Sequence, residues 1–193
     1  MKRRIDRQDI LNTGLEIMFS KGYSATGIKE ITDSISIPKG SFYNHFDSKE
    51  SFGLEMVERY CDNGIEFHKT NLLDSELSPL NRLKTHYSKM IDFSLGVQKC
   101  KNGCIMSNFS QELGDVNESF RVLLDSKFLE IESIIAQCIE QGQDIGEINT
   151  EIDSKATAAF ILNSWHGALM RMKASASIKP LNDFFNLVFN NIL

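Results

Sequence analysis

Thr26-Gly27-Ile28-Lys29-Glu30-Ile31-Thr32, then Ile37-Pro38-Lys39-Gly40-Ser41-Phe42-Tyr43-Asn44-His45-Phe46 and Ser48-Lys49-Glu50, is the stretch that decides the fold of this 193-residue chain. It predicts two short helices joined by a tight turn over residues 34–36. Thr26 is placed to cap the first helix, and Ile28 and Ile31 supply its core face. Pro38 stands near the first position of the second helix, where a missing N–H costs nothing. With Gly40 and small polar groups beside it, that end can approach a phosphodiester backbone closely. A helix-turn-helix of this kind puts its second helix in the major groove of DNA.

The flanking sequence continues in helices. Upstream, Ile10, Leu11, Leu15, Met18 and Phe19 recur at spacings of three and four over residues 7–23, and Gly22 is a stop signal. Downstream, Asp47 with Glu50 predicts a capping box for a longer helix carrying Phe52, Met56 and Tyr60. Ser78-Pro79 opens the next, with Leu80, Leu83, Tyr87, Met90 and Ile91. A short segment holds Ile105, Met106, Phe109 and Leu113. Asp115 with Glu118 predicts a second capping box for a helix from Phe120 to Ile139, ended near Gly142. Asp153 starts the helix of Phe160, Trp165 and Leu169, and Pro180 precedes the last. No strand pattern of comparable length appears, so the expected class is all-α. A three-helix DNA-binding head over residues 1–50 precedes a helical body over residues 51–193.

Composition agrees with this division. The chain is 41% hydrophobic and 24% charged, as an ordinary globular protein is. Its net charge of −5 argues against nucleic acid until the distribution is considered. Residues 1–50 carry eight Lys/Arg against seven Asp/Glu, and the remainder carries 13 against 19. An acidic body on a locally basic head suits a DNA reader whose body stays off the duplex. No apolar run approaches the ~20 residues that span a bilayer. Met1-Lys2-Arg3-Arg4 leads into Asp6 and Asp9 rather than an apolar stretch, so a cytoplasmic protein is expected. The four cysteines are expected as reduced thiols. Cys100 and Cys104 have no matching His/Cys pair nearby, so neither a metal nor a cofactor is expected.

The head resembles that of the tetracycline-repressor (TetR) family of bacterial one-component transcription regulators. The likeness rests on Gly22-Tyr23, Thr26, Ile28 and Ile31, Lys39-Gly40-Ser41, Tyr43, His45-Phe46 and Lys49, in order over about fifty residues. Residues 103–113, from Gly103-Cys104 to Leu113, look like a motif of one subgroup. The resemblance implies an all-α body, a homodimer, an operator and a small-molecule effector. Where the turn often carries Ala-Gly, this chain has Ile35-Ser36. A left-handed Ser36 would cost roughly 1 kcal/mol.

The expected DNA contacts are Thr26, Lys39, Gly40, Ser41, Tyr43, Asn44, His45 and Lys49. Lys39 suits a phosphate or a guanine edge, Ser41 and Asn44 suit base edges or phosphates, and the polar ring tips of Tyr43 and His45 suit phosphate oxygens. Phe42 and Phe46 are expected to pack inward. In the body, His86, Met90, Phe93, Cys104, Met106, Phe109, Phe128, Trp165 and His166 are candidates for an effector pocket, with plain core as the competing reading. Cys104, expected near a helix start, is either a reactive sensor thiol or a small buried hydrophobe. The runs at residues 156–162 and 184–189 are apolar nearly all round. They point to a two-fold dimer through Phe160, Leu169, Phe184, Phe185 and Val188, or else to fully internal helices. A thiol-dependent enzyme built on Cys104 and a helical interaction adaptor are the other function classes; no local catalytic signature supports the first.

Overall fold

A computed structural model describes residues 6–74 and 76–193; the basic run at residues 2–4 lies outside them. Among the described residues every regular element is helical, as the periodicity predicts. In chain order these are α1 (Arg7–Lys21), α2 (Ile28–Ser34), α3 (Lys39–Tyr43), α4 (Lys49–Leu72), α5 (Pro79–Gly96), α6 (Ile105–Leu113), α7 (Glu118–Asp144), α8 (Ser154–Ser175) and α9 (Lys179–Leu187). A π-helical turn, Val188–Ile192, continues α9.

The helices form two compact units. One comprises Met1–Asp62 with Ile105–Leu124, and the other Asn63–Cys104 with Asp125–Leu193. In the first, Asp6 caps α1: its carboxylate accepts from the Asp9 N–H (3.0 Å), and Asp9 accepts in return from the Asp6 N–H (3.1 Å). Gly22 ends the helix at φ 90°, donating its N–H to the Met18 carbonyl (2.8 Å). The α2–α3 turn closes as a Schellman motif. Ser36 sits left-handed at φ 58°, and the Ile37 N–H reaches back to the Thr32 carbonyl (3.0 Å). Serine thus occupies the position that glycine fills without steric cost.

Three caps differ from expectation. Gly27, not Thr26, holds the N-cap of α2; the Thr26 hydroxyl donates instead to the Gly22 carbonyl (2.7 Å). Ser48, not Asp47, caps α4: its hydroxyl accepts from the Ser51 N–H (3.0 Å), and Ser51 Oγ accepts from the Ser48 N–H (3.1 Å). Asn117, not Asp115, caps α7 by accepting from the Phe120 N–H (3.1 Å). Each miss shifted the helix start by one or two residues, because several short polar groups crowd each boundary. Asp153 caps α8 as predicted, accepting from the Ala156 N–H (2.7 Å).

The core of the first unit is aromatic. Phe42, Phe46 and Phe52 are buried with centroids 4.9–5.2 Å apart, and Ile10, Met18 and Ile31 are buried with them. Gly14 allows α1 this close to α4: a Cβ there would lie 2.2 Å from Phe52 Cζ. In the second unit the buried residues include Leu83, Tyr87, Ile135, Ile139, Ile161, Trp165 and Leu181, with α9 against α8 and α5.

Candidate DNA-binding face and effector site

The short helix α3 divides cleanly. Phe42 is buried, while Lys39, Gly40, Tyr43 and Asn44 are exposed and Ser41 and His45 are half-buried. Tyr43, 48% exposed, braces edge-to-face on Phe42 (5.5 Å) and so has its phenol outward on a rigid base. A Cβ at Gly40 would meet nothing within 4 Å, so this side of α3 is open. Lys39, Gly40, Tyr43 and Asn44, at helical offsets of zero, one, four and five, share one outward surface.

The end of α3 is fixed by Arg7. Its guanidinium donates to the His45 carbonyl and to the Glu55 carboxylate, and lies 4.3 Å over the Phe46 ring. The bond to Glu55 raises Arg7 above its ordinary range, and the bond to Arg7 lowers Glu55. Nothing in the sequence near His45 announces a partner at position 7.

Thr26 and Lys49 occupy a second place in the same unit. Thr26 is buried, and Lys49 Nζ donates to the Tyr23 carbonyl (2.7 Å) while lying 4.3 Å over the Tyr23 ring. Burial lowers the Lys49 ammonium, against the opposing pull of Glu112. Glu112, on α6, accepts from the N–H groups of Tyr23 (2.9 Å) and Ser24 (2.6 Å). Burial pushes the Glu112 carboxyl up, but the Ser24 and Tyr23 hydrogen bonds and Lys49 outweigh it and leave it below its ordinary value. This clasp ties the loop after α1 to α6, and sequence reasoning did not find it, since its partners lie 89 and 88 residues apart. Among the expected DNA contacts, therefore, six lie on or beside α3 and two sit in the clasp.

The expected pocket residues divide between the units. Met106 and Phe109 are buried in the first, where Phe109 meets Tyr23 (5.9 Å) and Phe120 (6.0 Å). In the second, Phe128 stands edge-to-face with His166 (5.1 Å), Trp165 packs on Tyr87 (5.4 Å) and Phe184 (5.4 Å), Met90 is half-buried, and Phe93 is 52% exposed. His86 is fully buried, 4.6 Å from His68 between ring centroids and 5.3 Å from Tyr87. His68 was not anticipated: as a lone histidine on α4 it carries no motif. His68 Nδ1, both His86 nitrogens and Tyr87 Oη have no hydrogen-bond partner among the described residues. A buried polar atom left so costs about 1–3 kcal/mol, and such atoms are uncommon in folded proteins.

Cys104 is half-buried and immediately precedes α6. The loop before it is strained, with Lys99 (φ 51°), Cys100 (φ 58°) and Asn102 (φ 66°) all left-handed. The four cysteines are thiols. Burial pushes Cys138 up to about 11, which argues against a reactive thiol there. Of the expected dimer residues, Leu169, Phe184 and Val188 are buried within the chain, Phe185 is half-buried and Phe160 is 49% exposed. Phe160 and Leu187 line an open groove between α8 and α9 with Gly167, Ala168 and Pro180. Among the described residues, no helix is long and apolar enough to cross a membrane.

Comparison with known proteins agrees with this geometry. Residues 10–56 match the model of the bacterial regulatory proteins of the tetR family, and residues 79–188 match a tetracyclin repressor-like C-terminal domain. The HTH-type transcriptional repressor DhaR of Mycobacterium sp. (strain GP1) is 32% identical over 193 residues, covering 100% of this chain and 95% of that protein. The HTH-type transcriptional repressor NemR of Escherichia coli K12 is 28% identical, covering 96% and 93%. A regulatory protein TetR from Rhodobacter sphaeroides superposes with a TM-score of 0.88 at 31% identity, covering 96% of this chain and 98% of that one. An all-α chain with a helix-turn-helix head, matched over both head and body, belongs to the tetR family of bacterial regulatory proteins.

Proposed function

We propose that this chain acts in the cytoplasm as a homodimeric repressor that leaves its operator when an effector binds. Residues 1–50 are the DNA-binding part, and residues 51–193 bind the effector and dimerise. The observation that carries the reading is the outward surface of α3, where Lys39, Gly40, Tyr43 and Asn44 stand exposed on a helix anchored by Phe42. Ser41 and His45 flank it as further contacts, and Lys49 contributes from the clasp; Thr26, expected as a contact, is buried with its hydroxyl on the Gly22 carbonyl and supports the head from within. Lys49, at the start of α4, serves both the fold and the phosphate backbone. The role is binding rather than turnover, in keeping with relatives named as transcriptional repressors.

Effector control works through differential affinity. A ligand releases DNA only by binding the DNA-incompetent arrangement more tightly, and a hundredfold effect needs about 2.7 kcal/mol of coupling. His86, Met90, Phe93, Phe128, Trp165 and His166 serve a small-molecule route, and Cys104 serves an electrophile route; Met106 and Phe109 belong instead to the buried core of the first unit. Release by N-ethylmaleimide that persists in Cys104→Ser excludes Cys104 as the reactive thiol and leaves the small-molecule route intact.

The test is operator binding. Lys39→Ala with Tyr43→Ala is expected to weaken binding to duplex DNA at every sequence and to flatten its salt dependence. The slope of log affinity against log salt should fall by about 0.9 for each phosphate that the variant no longer neutralises. Unchanged binding by a folded double variant refutes α3 as the reader.

A further inference from the structure

His68 on α4 and the adjacent His86 and Tyr87 on α5 bring three hydrogen-bonding rings together inside the second unit. The two imidazoles lie 4.6 Å apart between centroids, and the hydrogen-bonding capacity of their unpartnered atoms is unspent. Tyr87 is fully buried, and its hydroxyl is also unpartnered. Around them the surroundings are apolar: Trp165, Phe184 and Phe189 pack on Tyr87 at 5.2–5.9 Å. Phe67 covers His86 (5.1 Å) and is itself 41% exposed, so it stands between His86 and solvent.

The charge state limits what can bind. Burial, with His166 facing His68, holds His68 down to about 4. Burial, with His68 and then Lys89, holds His86 down to about 2. Lys89 is exposed and donates to Asn71 Oδ1 (2.7 Å). Among the described residues, the charged or titratable groups that act on the two imidazoles are His166 on His68, and His68 and Lys89 on His86. At neutral pH both rings are uncharged, each with one N–H and one lone pair, and the tyrosine adds an O–H. A carboxylate or an ammonium brought here would lose its hydration without meeting an opposite charge. A hydroxyl or a carbonyl oxygen would find donors, and a hydroxyl would also find an acceptor.

We propose that the His68–His86–Tyr87 cluster is the recognition centre of the effector site, taking a compact uncharged organic molecule by a hydroxyl or carbonyl group. This rests on reading the chain as an effector-controlled regulator. The orphan atoms are then the site's stored specificity. An analogue lacking the oxygen leaves them unpaired and is rejected, as sites built on buried polar groups reject such analogues. The aromatic walls supply the apolar contact, and displacement of Phe67 admits the ligand.

The experiment measures direct binding to the full-length, DNA-free protein with four probes of similar size: cyclohexanol, cyclohexanone, methylcyclohexane and cyclohexanecarboxylate. Imidazole resonances of His68 and His86 report the site. Cyclohexanol or cyclohexanone is expected to bind at least about tenfold more tightly than the other two, with both histidines shifting. Tyr87→Phe keeps the ring and His86→Leu nearly keeps the side-chain volume; each is expected to weaken cyclohexanol binding about fivefold to tenfold. His86→Leu is also expected to raise the melting temperature, because it deletes two unpartnered atoms. Tighter binding of the carboxylate, equal binding of methylcyclohexane, unchanged affinity in both variants, or no binding of the neutral oxygen compounds at about 10 mM overturns the proposal. A gel shift on the same proteins keeps the two readings apart. Loss of DNA binding by wild type refutes the regulator, whereas DNA binding with no probe response refutes this site alone.

Discussion

Replacing Glu112 by alanine removes one carboxylate that two backbone N–H groups share, at 2.9 Å from Tyr23 and 2.6 Å from Ser24. Hydrogen bonds to a charged acceptor contribute about 1.5–3 kcal/mol each. Ser24 is exposed and water replaces its bond cheaply, whereas Tyr23 is half-buried. The discounted loss is about 2–3 kcal/mol, with Lys49 left facing no carboxylate in the clasp. For a chain of this size that is a fall of roughly 4–12 °C in melting temperature. Glu112→Gln keeps an acceptor oxygen and should lose about half as much. The pH dependence has a definite sign. The folded carboxyl sits below its ordinary value of 4.5, so its contribution is complete above that pH and is lost as pH falls through the folded value. Thermal melts of wild type and Glu112→Ala should therefore stand apart at pH 7 and converge on acidification below 4.5. A variant that melts within about 1 °C of wild type at pH 7 shows that the clasp adds nothing.

Other substitutions test the packing, the turn and the proposed dimer. Gly14→Ala drives a Cβ into the Phe52 ring, 2.2 Å away, and should cost about 1–3 kcal/mol in urea unfolding; a neutral effect would show that α1 and α4 part freely. Ser36→Gly relieves a left-handed serine at φ 58° and should stabilise the chain by about 0.5–1 kcal/mol, read as a higher urea midpoint; a lower midpoint counts against the strain. Phe160→Glu with Leu187→Glu places charge on side chains 49% and 55% exposed. Sedimentation should change from dimer to monomer with the helical signal retained, and equal mass for both proteins removes the α8–α9 groove from the interface.

The parts legible in the sequence were those written in neighbouring residues. Periodicity located the helices, Gly22 marked the end of α1, and Phe42 and Phe46 declared themselves core between polar neighbours. Boundaries were misplaced where polar side chains crowd: Asp47 and Ser48 both suit a cap, and hydrogen-bond geometry selects Ser48. What stayed hidden was long-range. Glu112 reads as one more surface acid on an amphipathic helix, and Arg7 as one more base, until the fold places them on Tyr23 and on Glu55. His68 was passed over for a similar reason, since an isolated imidazole acquires meaning only from a second one 4.6 Å away on another helix.

The return of residues 105–124 to the unit that holds the helix-turn-helix bears on modularity. A hybrid regulator made by grafting residues 1–50 onto a foreign body would leave Glu112, Phe109 and Phe120 behind, stripping Tyr23 of its carboxylate and of two ring neighbours. The transferable cassette is discontinuous, and a working chimera must carry both segments or rebuild the second. Recombination at a single crossover is thereby disfavoured for this chain, and its head and body are expected to change together over evolutionary time.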